Sequence, residues 1–377
     1  MNKSITVGIL GGGQLARMSS YAARRLGFDV AILEKEKNSP AGQITKNEFI
    51  GLVSNHSLLK KFASGCDVVT LENEFVDYHH LEFLEKQKVK VFPSSKTVFL
   101  IQDKLIQKQT LEKKKIPVAN FIEVKHKADF PRLKKLFGLP FILKSRKMGY
   151  DGYGNALIKN AASFEKEFDR LTHRHSKLLA EEFIHFKKEL AVMVARTKRE
   201  IKVYPVVETI QRNHICHTVI APAKVSNKIH DRAKSIAVKC VEAVNGIGIF
   251  GIELFLSDDN DILVNEIAPR PHNSGHYTIE GCITSQFENH IRAVLNLPLG
   301  SVEMVKPFAV MINLLGKKNG GTLRNYSTAL NEPNVHLHVY GKHQSRIGRK
   351  MGHITIVGDD SKKILLQVLK KEKEIII

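Results

Sequence analysis

Phe250-Gly251-Ile252-Glu253-Leu254-Phe255-Leu256 is followed, after Asp258-Asp259-Asn260-Asp261, by Ile262-Leu263-Val264-Asn265-Glu266-Ile267. Both flanks are rich in β-branched and apolar residues and the middle is a run of turn formers, so the stretch reads as a β-hairpin. With those four residues as the loop, position 257 pairs with Ile262, and counting back sets Glu253 opposite Glu266. Opposed residues have Cβ atoms about 5 Å apart. At an effective dielectric of about 20, two carboxylates at that range repel by roughly 3 kcal/mol. Such a pair survives if one acid is protonated, if the site is wet, or if a cation sits between them. Asn265 adds a neutral oxygen, a donor set that suits Mg²⁺, which is held by a few carboxylates plus phosphate oxygens. Next comes Ala268-Pro269-Arg270-Pro271-His272-Asn273-Ser274-Gly275-His276, dense in anion-binding side chains. A divalent metal beside an anion site points to nucleotide chemistry.

Upstream, strand and helix alternate. Ile5–Leu10 reads as a buried strand, and Leu15, Met18, Ala22 and Leu26 fall at helical spacing behind a glycine turn. Asp29–Glu34, Asp67–Leu71 and Val89–Phe92 are further strand candidates, which makes residues 1–95 a doubly wound, parallel-sheet α/β domain. Pro93-Ser94-Ser95 marks a boundary before one expected helix, Lys96–Lys114. Residues 96–298 read as α+β. Strands are expected at Pro140–Lys144, Asn155–Ile158, Leu190–Ala195 and Ile201–Val206, and helices at Ala161–Leu171 and Ile229–Val244. Residues 299–377 form a small β-rich region with strands at Ala309–Leu315, Val335–Val339 and His353–Val357 and a closing helix at Lys362–Lys371.

The chain has 377 residues, 43% hydrophobic and 25% charged, as in ordinary globular proteins. Its first apolar run is too short for a secretory signal or a membrane span. Four scattered cysteines (Cys66, Cys216, Cys240, Cys282) suggest reduced thiols in a cytoplasm. The net charge of +20 comes from dispersed lysines, such as Lys113-Lys114-Lys115 and Lys187-Lys188, without aromatic interleaving. That texture fits a solvated surface better than a nucleic-acid face, and neither nucleic acid nor membrane is expected as a partner.

Gly11-Gly12-Gly13-Gln14-Leu15-Ala16 fits the dinucleotide pattern G-x-G-x-x-A, with Glu34 near the ribose-contact distance. The turn admits three readings: a dinucleotide site, a site for some other phosphate at the helix end, or a purely structural turn. Lys144 through Asn155 carries glycines at 149, 152 and 154 between two strand candidates. Its amides, with Lys144, Arg146 and Lys147, suit a polyphosphate; the bland alternative is a hairpin with a basic tip. No Walker A pattern occurs in the chain. Glu181-Glu182-Phe183-Ile184 and Glu189 read by themselves as a solvated acidic face. Lys342, Arg346, Arg349 and Lys350 form a late basic cluster with a glycine inside it, either a solvated charge run or a phosphate clamp.

Together these motifs resemble the ATP-grasp enzymes, and within them the 5-(carboxyamino)imidazole ribonucleotide synthetase family, the ATPase subunit of phosphoribosylaminoimidazole carboxylase. The resemblance runs nearly end to end, through Gly11–Met18, Gln102-Asp103-Lys104, Lys144–Gly154, Asn265–His276, Ser285-Gln286-Phe287-Glu288 and Gly348-Arg349-Lys350-Met351-Gly352-His353. It implies ATP contacts at Lys104, Lys144, Gly149, Tyr150, Asp151, Gly152, Tyr153, Gly154, Asn155, Glu181, Glu182, Phe183, Ile184, Glu189, Gln211, Asn265 and Glu266. Mg²⁺ would be held by Glu253 and Glu266. The ribonucleotide and bicarbonate would meet Gly13, Gln14, Leu15, Asn273, Ser274, Gly275, His276, Arg349 and Lys350, with Asp151, Arg270 and Lys342 as catalytic groups. Where the family commonly has a histidine after Pro205, this chain has Gln211. The implied reaction is ATP-dependent carboxylation of 5-aminoimidazole ribonucleotide by bicarbonate through carboxyphosphate, in a cytoplasmic homodimer. The rivals are a glycinamide ribonucleotide ligase of the same superfamily and, more remotely, an NAD-binding dehydrogenase.

Overall fold

The computed structural model describes residues 4–149, 154–321 and 324–376. The N-terminal sheet is parallel, in the order Asn47–Ile50, Asp29–Glu34, Thr6–Leu10, Val68–Leu71. Val7, Ile9, Leu10, Val30, Ile32 and Leu33 are all buried, as continuous apolar runs in a covered parallel sheet should be. The expected strand Val89–Phe92 contributes only one bridge, Val91 to Val69. At the opposite edge, beside Asp29–Glu34, stands Asn47–Ile50, a strand whose polar start hides its character.

The expected helix Lys96–Lys114 is two helices, Ser95–Gln102 and Lys104–Lys113. Asp103 breaks it. Its backbone is extended and its carboxylate accepts from the amides of Leu105 and Ile106, capping the second helix. The same carboxylate receives the Arg146 guanidinium through Nε and Nη2.

A four-stranded antiparallel sheet (Phe121–Val124, Leu178–Glu182, Phe141–Ser145, Asn155–Ile158) makes a small lobe. The large sheet has nine strands. It runs Ile262–Ala268, Gly248–Ser257, Phe186–Arg196, Val207–Arg212, Ile215–Ala221, Phe308–Leu315, Lys350–Gly358, Val335–Val339, with Ile201–Val203 beside Phe186–Arg196. The strand expected over Ile201–Val206 therefore ends three residues early. The strand-rich C-terminal region adds its strands to this sheet through Thr218–Ala221 pairing with Ala309–Ile312.

Alternation sets which face of the large sheet sees the cleft. Leu190, Val192, Val194, Ile252, Leu254 and Leu256 pack on the helix Asn227–Ala243. Glu189, Ala191, Gly251, Glu253 and Phe255 therefore lie on the other face. Each fully buried aliphatic side chain contributes about 1.5–3 kcal/mol, so a one-residue slip, which would exchange the two sets, is strongly disfavoured. Among the described residues, no helix is long and apolar enough to cross a membrane.

Candidate active site

Glu253 pairs directly with Glu266, although the loop between them differs from a four-residue turn. Leu256, not Ser257, pairs with Ile262; the Ser257 amide donates to the Asp261 carbonyl at 2.9 Å, and Asn260 takes φ 66° inside the turn. The resulting one-residue offset is undone by a bulge, since Leu254 pairs with Val264 while Glu253 pairs with Glu266. Asn265 is the extra residue. Bulges re-aim side chains, and this one lets neighbours Asn265 and Glu266 both serve the cleft, while Ile267 returns to the core.

The contacts confirm that aim. Asn265 Nδ2 donates to Glu253 Oε2 at 3.2 Å, and Lys144 Nζ donates to Asn265 Oδ1 at 3.3 Å. Lys104 Nζ lies 2.5 Å from Glu266 Oε2. Burial first, then Glu266 and Glu189, push the Glu253 carboxyl up to about 7, against the pull of Lys104 and Lys350. Burial lowers the Lys104 ammonium, but Glu266, Glu181 and Glu253 outweigh it and hold it above its ordinary value. His272 Nε2 is 3.4 Å from Glu253 Oε1. Burial, Arg270 and Lys350 depress the His272 imidazole to about 3, so it is neutral.

Behind this face Glu181 is buried, not solvated. It accepts from Lys144 Nζ at 2.8 Å, and Lys108 Nζ lies 3.3 Å away. Burial would raise the Glu181 carboxyl, but the two ammonium groups hold it below its usual range; burial pulls Lys108 down. Glu182 turns outward to the amide and Nδ2 of Asn120, and with Phe183 and Ile184 it borders an open hollow lined also by Pro117, Arg232 and Leu263. Glu189 accepts from Gln211 Nε2 at 2.7 Å, which brings both residues to the acidic face.

At the glycine loop, a Cβ on Gly154 would meet the Gly149 Cα at 2.7 Å, so the two loop ends touch through backbone alone. Asn155 pairs with Lys144 across the small sheet. Tyr150, Asp151, Gly152 and Tyr153, expected here as ATP contacts, lie outside the described residues. Arg146, expected among the cations around a polyphosphate, is instead spent on Asp103 and on Glu123 at 2.6 Å, a buried arginine held by two carboxylates. Lys147 Nζ donates to Gln102 Oε1 at 3.1 Å.

The glycine turn also differs from a phosphate cradle. Glu34 accepts from the Gly12 amide at 2.8 Å and Glu72 from the Leu15 amide at 3.3 Å, so the chain's own carboxylates occupy the positive end of the helix Gln14–Arg25. An added Cβ on Gly13 would sit 2.1 Å from Glu72 Oε1, so any side chain there would displace that carboxylate from the helix end. Leu15 packs with Met18, Phe287 and Tyr340 in the core, while Gln14 stays half-buried.

Arg270 meets Glu74 through Nε at 2.5 Å and Nη2 at 3.0 Å, a forked pair joining two regions of the chain. The segment after it is largely scaffold. Asn273 exchanges amide bonds with Asn313, Ser274 sits within 2.8 Å of His272 Nδ1, and His276 is sealed against Gln286. The side chains of Ser274 and His276, expected to face substrate, are thus enclosed, and Gly275 packs on Gln286 and Met193. Of the late cations, Lys350 is near enough to influence both Glu253 and His272. Lys342 donates to the Lys350 carbonyl at 2.7 Å, and Arg349 to the Gln344 carbonyl at 2.8 Å. The structure thereby gathers Lys104, Lys144, Glu189, Gln211, Glu253, Asn265, Glu266, Arg270 and Lys350. It adds Glu72, Glu74 and Lys108, which the sequence reading passed over, and His272, which that reading placed in the anion-binding segment without a role of its own. Glu72 and Glu74 follow directly on the strand Val68–Leu71, the carboxyl end where open α/β sheets place ligands, and that signal was available.

Residues 4–102 match the ribonucleotide synthetase preATP-grasp domain, 109–287 the ATP-grasp domain, and 309–367 the phosphoribosylaminoimidazole carboxylase C-terminal domain. Phosphoribosylaminoimidazole carboxylase of Candida glabrata is 44% identical over 366 residues, which are 94% of this chain; the chain spans 64% of that longer relative. N5-carboxyaminoimidazole ribonucleotide synthase of Synechococcus elongatus is 40% identical over 355 residues, 93% of this chain and 89% of the relative. The Aspergillus clavatus carboxyaminoimidazole ribonucleotide synthase solved with ATP superposes with TM-score 0.91 at 40% identity, over 98% of both chains. The same enzyme solved with ADP and 5-aminoimidazole ribonucleotide gives 0.90 at 38%, over 99% of this chain and 100% of the other. Fold, site and near-complete coverage agree: this chain belongs to the N5-carboxyaminoimidazole ribonucleotide synthase family of ATP-grasp ligases.

Proposed function

We propose that this chain carboxylates 5-aminoimidazole ribonucleotide with bicarbonate at the expense of ATP, in purine biosynthesis. The observation that carries the reading is the Glu253–Glu266 pair, with Lys104 in contact, Lys144 joined through Asn265, and Arg270 and Lys350 close enough to act on it electrostatically. The residues fit a divalent cation: two carboxylates face each other beside a neutral amide oxygen, and burial together with the second carboxylate pushes the Glu253 carboxyl up to about 7, a cost that a bound cation relieves. Mg²⁺ would be held by Glu253 and Glu266 beside the Asn265 oxygen. Bound there, it supplies charge neutralisation on the terminal phosphates of ATP.

Lys104 and Lys144 would position those phosphates, and the hinge Glu182–Ile184 would border the base. A bicarbonate oxygen attacks the γ-phosphorus and the bond to ADP breaks, leaving carboxyphosphate. That intermediate splits to CO₂ and phosphate; the exocyclic amine of the ribonucleotide takes the CO₂ and loses a proton, which we assign to Asp151. Arg270 neutralises the bicarbonate and the transferring phosphoryl group. Lys342, Arg349 and Lys350 would meet the ribonucleotide, and the protein would act as a homodimer. With [¹³C]bicarbonate, ATP and aminoimidazole ribonucleotide, the product should carry one acid-labile ¹³C on the former amine. Label appearing only in solvent CO₂, with ATP consumed, would reject the reading.

A further inference from the structure

Outside the cleft, a second group of side chains converges. The neighbouring strands Val335–Val339 and Lys350–Gly358 set His338 directly opposite His353, with the rings stacked at 4.4 Å and 10°. The short helix Thr278–Gly281 brings Glu280 to them, its Oε1 2.6 Å from His338 Nε2. One donor atom from each of Glu280, His338 and His353 lies within 4.8 Å of the others.

The polar accounting there does not close. His353 Nδ1 is 2.8 Å from the Tyr340 hydroxyl, but its Nε2 has no partner among the described residues. The same holds for Glu280 Oε2 and for Nε2 of His276, whose ring is 5.1 Å from that of His353. His276 and His353 are wholly buried. Buried polar atoms are nearly always satisfied, and several orphans in one place imply an absent occupant.

We propose that Glu280, His338 and His353 bind one zinc ion. Two imidazoles and one carboxylate are a zinc donor set, with a fourth place left for water or for His276 Nε2. Magnesium, which takes oxygen donors, is disfavoured. Burial holds His353 and His276 well below the ordinary imidazole range, so both present neutral rings at pH 7. In the tautomer whose Nδ1 donates to Tyr340, His353 Nε2 offers its lone pair, and the tyrosine fixes the ring's orientation. Bonds of about 2.0–2.1 Å need the stacked rings, 10° from parallel, to turn out of their stack so that both in-plane lone pairs aim at the ion, with the His338–Glu280 hydrogen bond giving way to metal. Side-chain exposures of 27% for His338 and 11% for Glu280 leave an access route at the sheet edge. The ion would tie the outer strand to the short helix Thr278–Gly281, and so brace Tyr340 and the basic loop that follows it.

The test uses the full chain, stripped with chelator and then dialysed against micromolar ZnCl₂ with excess MgCl₂. The unmodified protein should retain one zinc per chain by elemental analysis, melt several degrees higher with zinc than without, and give tetrahedral d–d bands with Co²⁺. His353→Gln and His338→Asn should each lose that equivalent, while His56→Asn, in an exposed histidine pair with His80, should keep it. Should His353→Gln fail to fold, the partly exposed His338→Asn and the Co²⁺ spectrum of the unmodified chain still decide. No retained zinc in the unmodified protein, meaning that water alone fills the gap, overturns the proposal. So does an equivalent that persists in His338→Asn.

Discussion

Glu253 and Glu266 face each other because two one-residue departures from a regular hairpin cancel: the turn takes one residue more than four, and the bulge at Asn265 restores the register. The bulge gives the site three oxygen donors from two strands, since Asn265 and Glu266 point the same way. It also lets one amide bridge Lys144 and Glu253.

Asn265→Ala removes that bridge without touching either carboxylate. Net hydrogen bonds contribute about 0.5–1.5 kcal/mol each, so urea unfolding should shift only modestly. Turnover should fall at least about tenfold, the cost of roughly 1.4 kcal/mol of lost positioning. Unchanged kcat in this variant would mean the amide is only structural.

Glu266→Gln should abolish turnover and leave the circular dichroism spectrum intact. It also removes one of the charges that raise Glu253, so the Glu253 titration, followed by NMR, should move down from about 7. It should not return to the ordinary 4.5, because burial is the larger cause. A Glu253 titration unaltered in the variant would contradict the assigned coupling.

A carboxyl whose folded pKa lies above its unfolded value binds more protons in the native state. The stability it contributes is complete below 4.5 and is lost as pH rises through about 7. Glu253 is 37% exposed at its side chain, which damps the effect. Without divalent metal, the melting temperature should therefore fall between those two pH values. Mg²⁺ should flatten the slope, and binding it below pH 7 should release protons measurable by calorimetry in buffers of different ionisation enthalpy. Equal slopes with and without Mg²⁺ would argue against metal at this pair.

Glu74 holds Arg270 from a different part of the chain, and both are mostly buried, at 13% and 16% side-chain exposure. Burial opposes ionisation of Glu74, but Arg270 outweighs it and keeps the carboxyl below 4.5. Its contribution is thus complete above 4.5 and is lost as pH falls through that lowered value. Glu74→Ala leaves a buried guanidinium alone and should cost about 3–5 kcal/mol, read by chemical denaturation. A loss under about 1 kcal/mol would show that water replaces the partner.

The local half of the site was legible in the sequence and the long-range half was not. The apolar spacing Ile262, Val264, Ile267 already contains the bulge, because a regular strand would put its next core residue at 266. Glu181 read as a solvated acid because its partners Lys108 and Lys144 lie far off in sequence and meet it only through packing. The helix break at Asp103 is local in its capping, yet the reading missed it, since the apolar residues on both sides continue at helical spacing. The glycine turn matched a phosphate pattern because glycine serves equally where a carboxylate such as Glu72 approaches the backbone. That Ile215–Ala221 would accept the strand Phe308–Leu315 and extend the central sheet depends on pairing across the chain, which alternation does not encode.

The most direct measurement is ADP release with a panel of acceptors and one-carbon donors. The account predicts ADP formation when Mg²⁺, bicarbonate and 5-aminoimidazole ribonucleotide are present together, and its loss in Glu266→Gln. ADP formation driven by glycine or formate with a different ribonucleotide amine, or undiminished in Glu266→Gln, would contradict it.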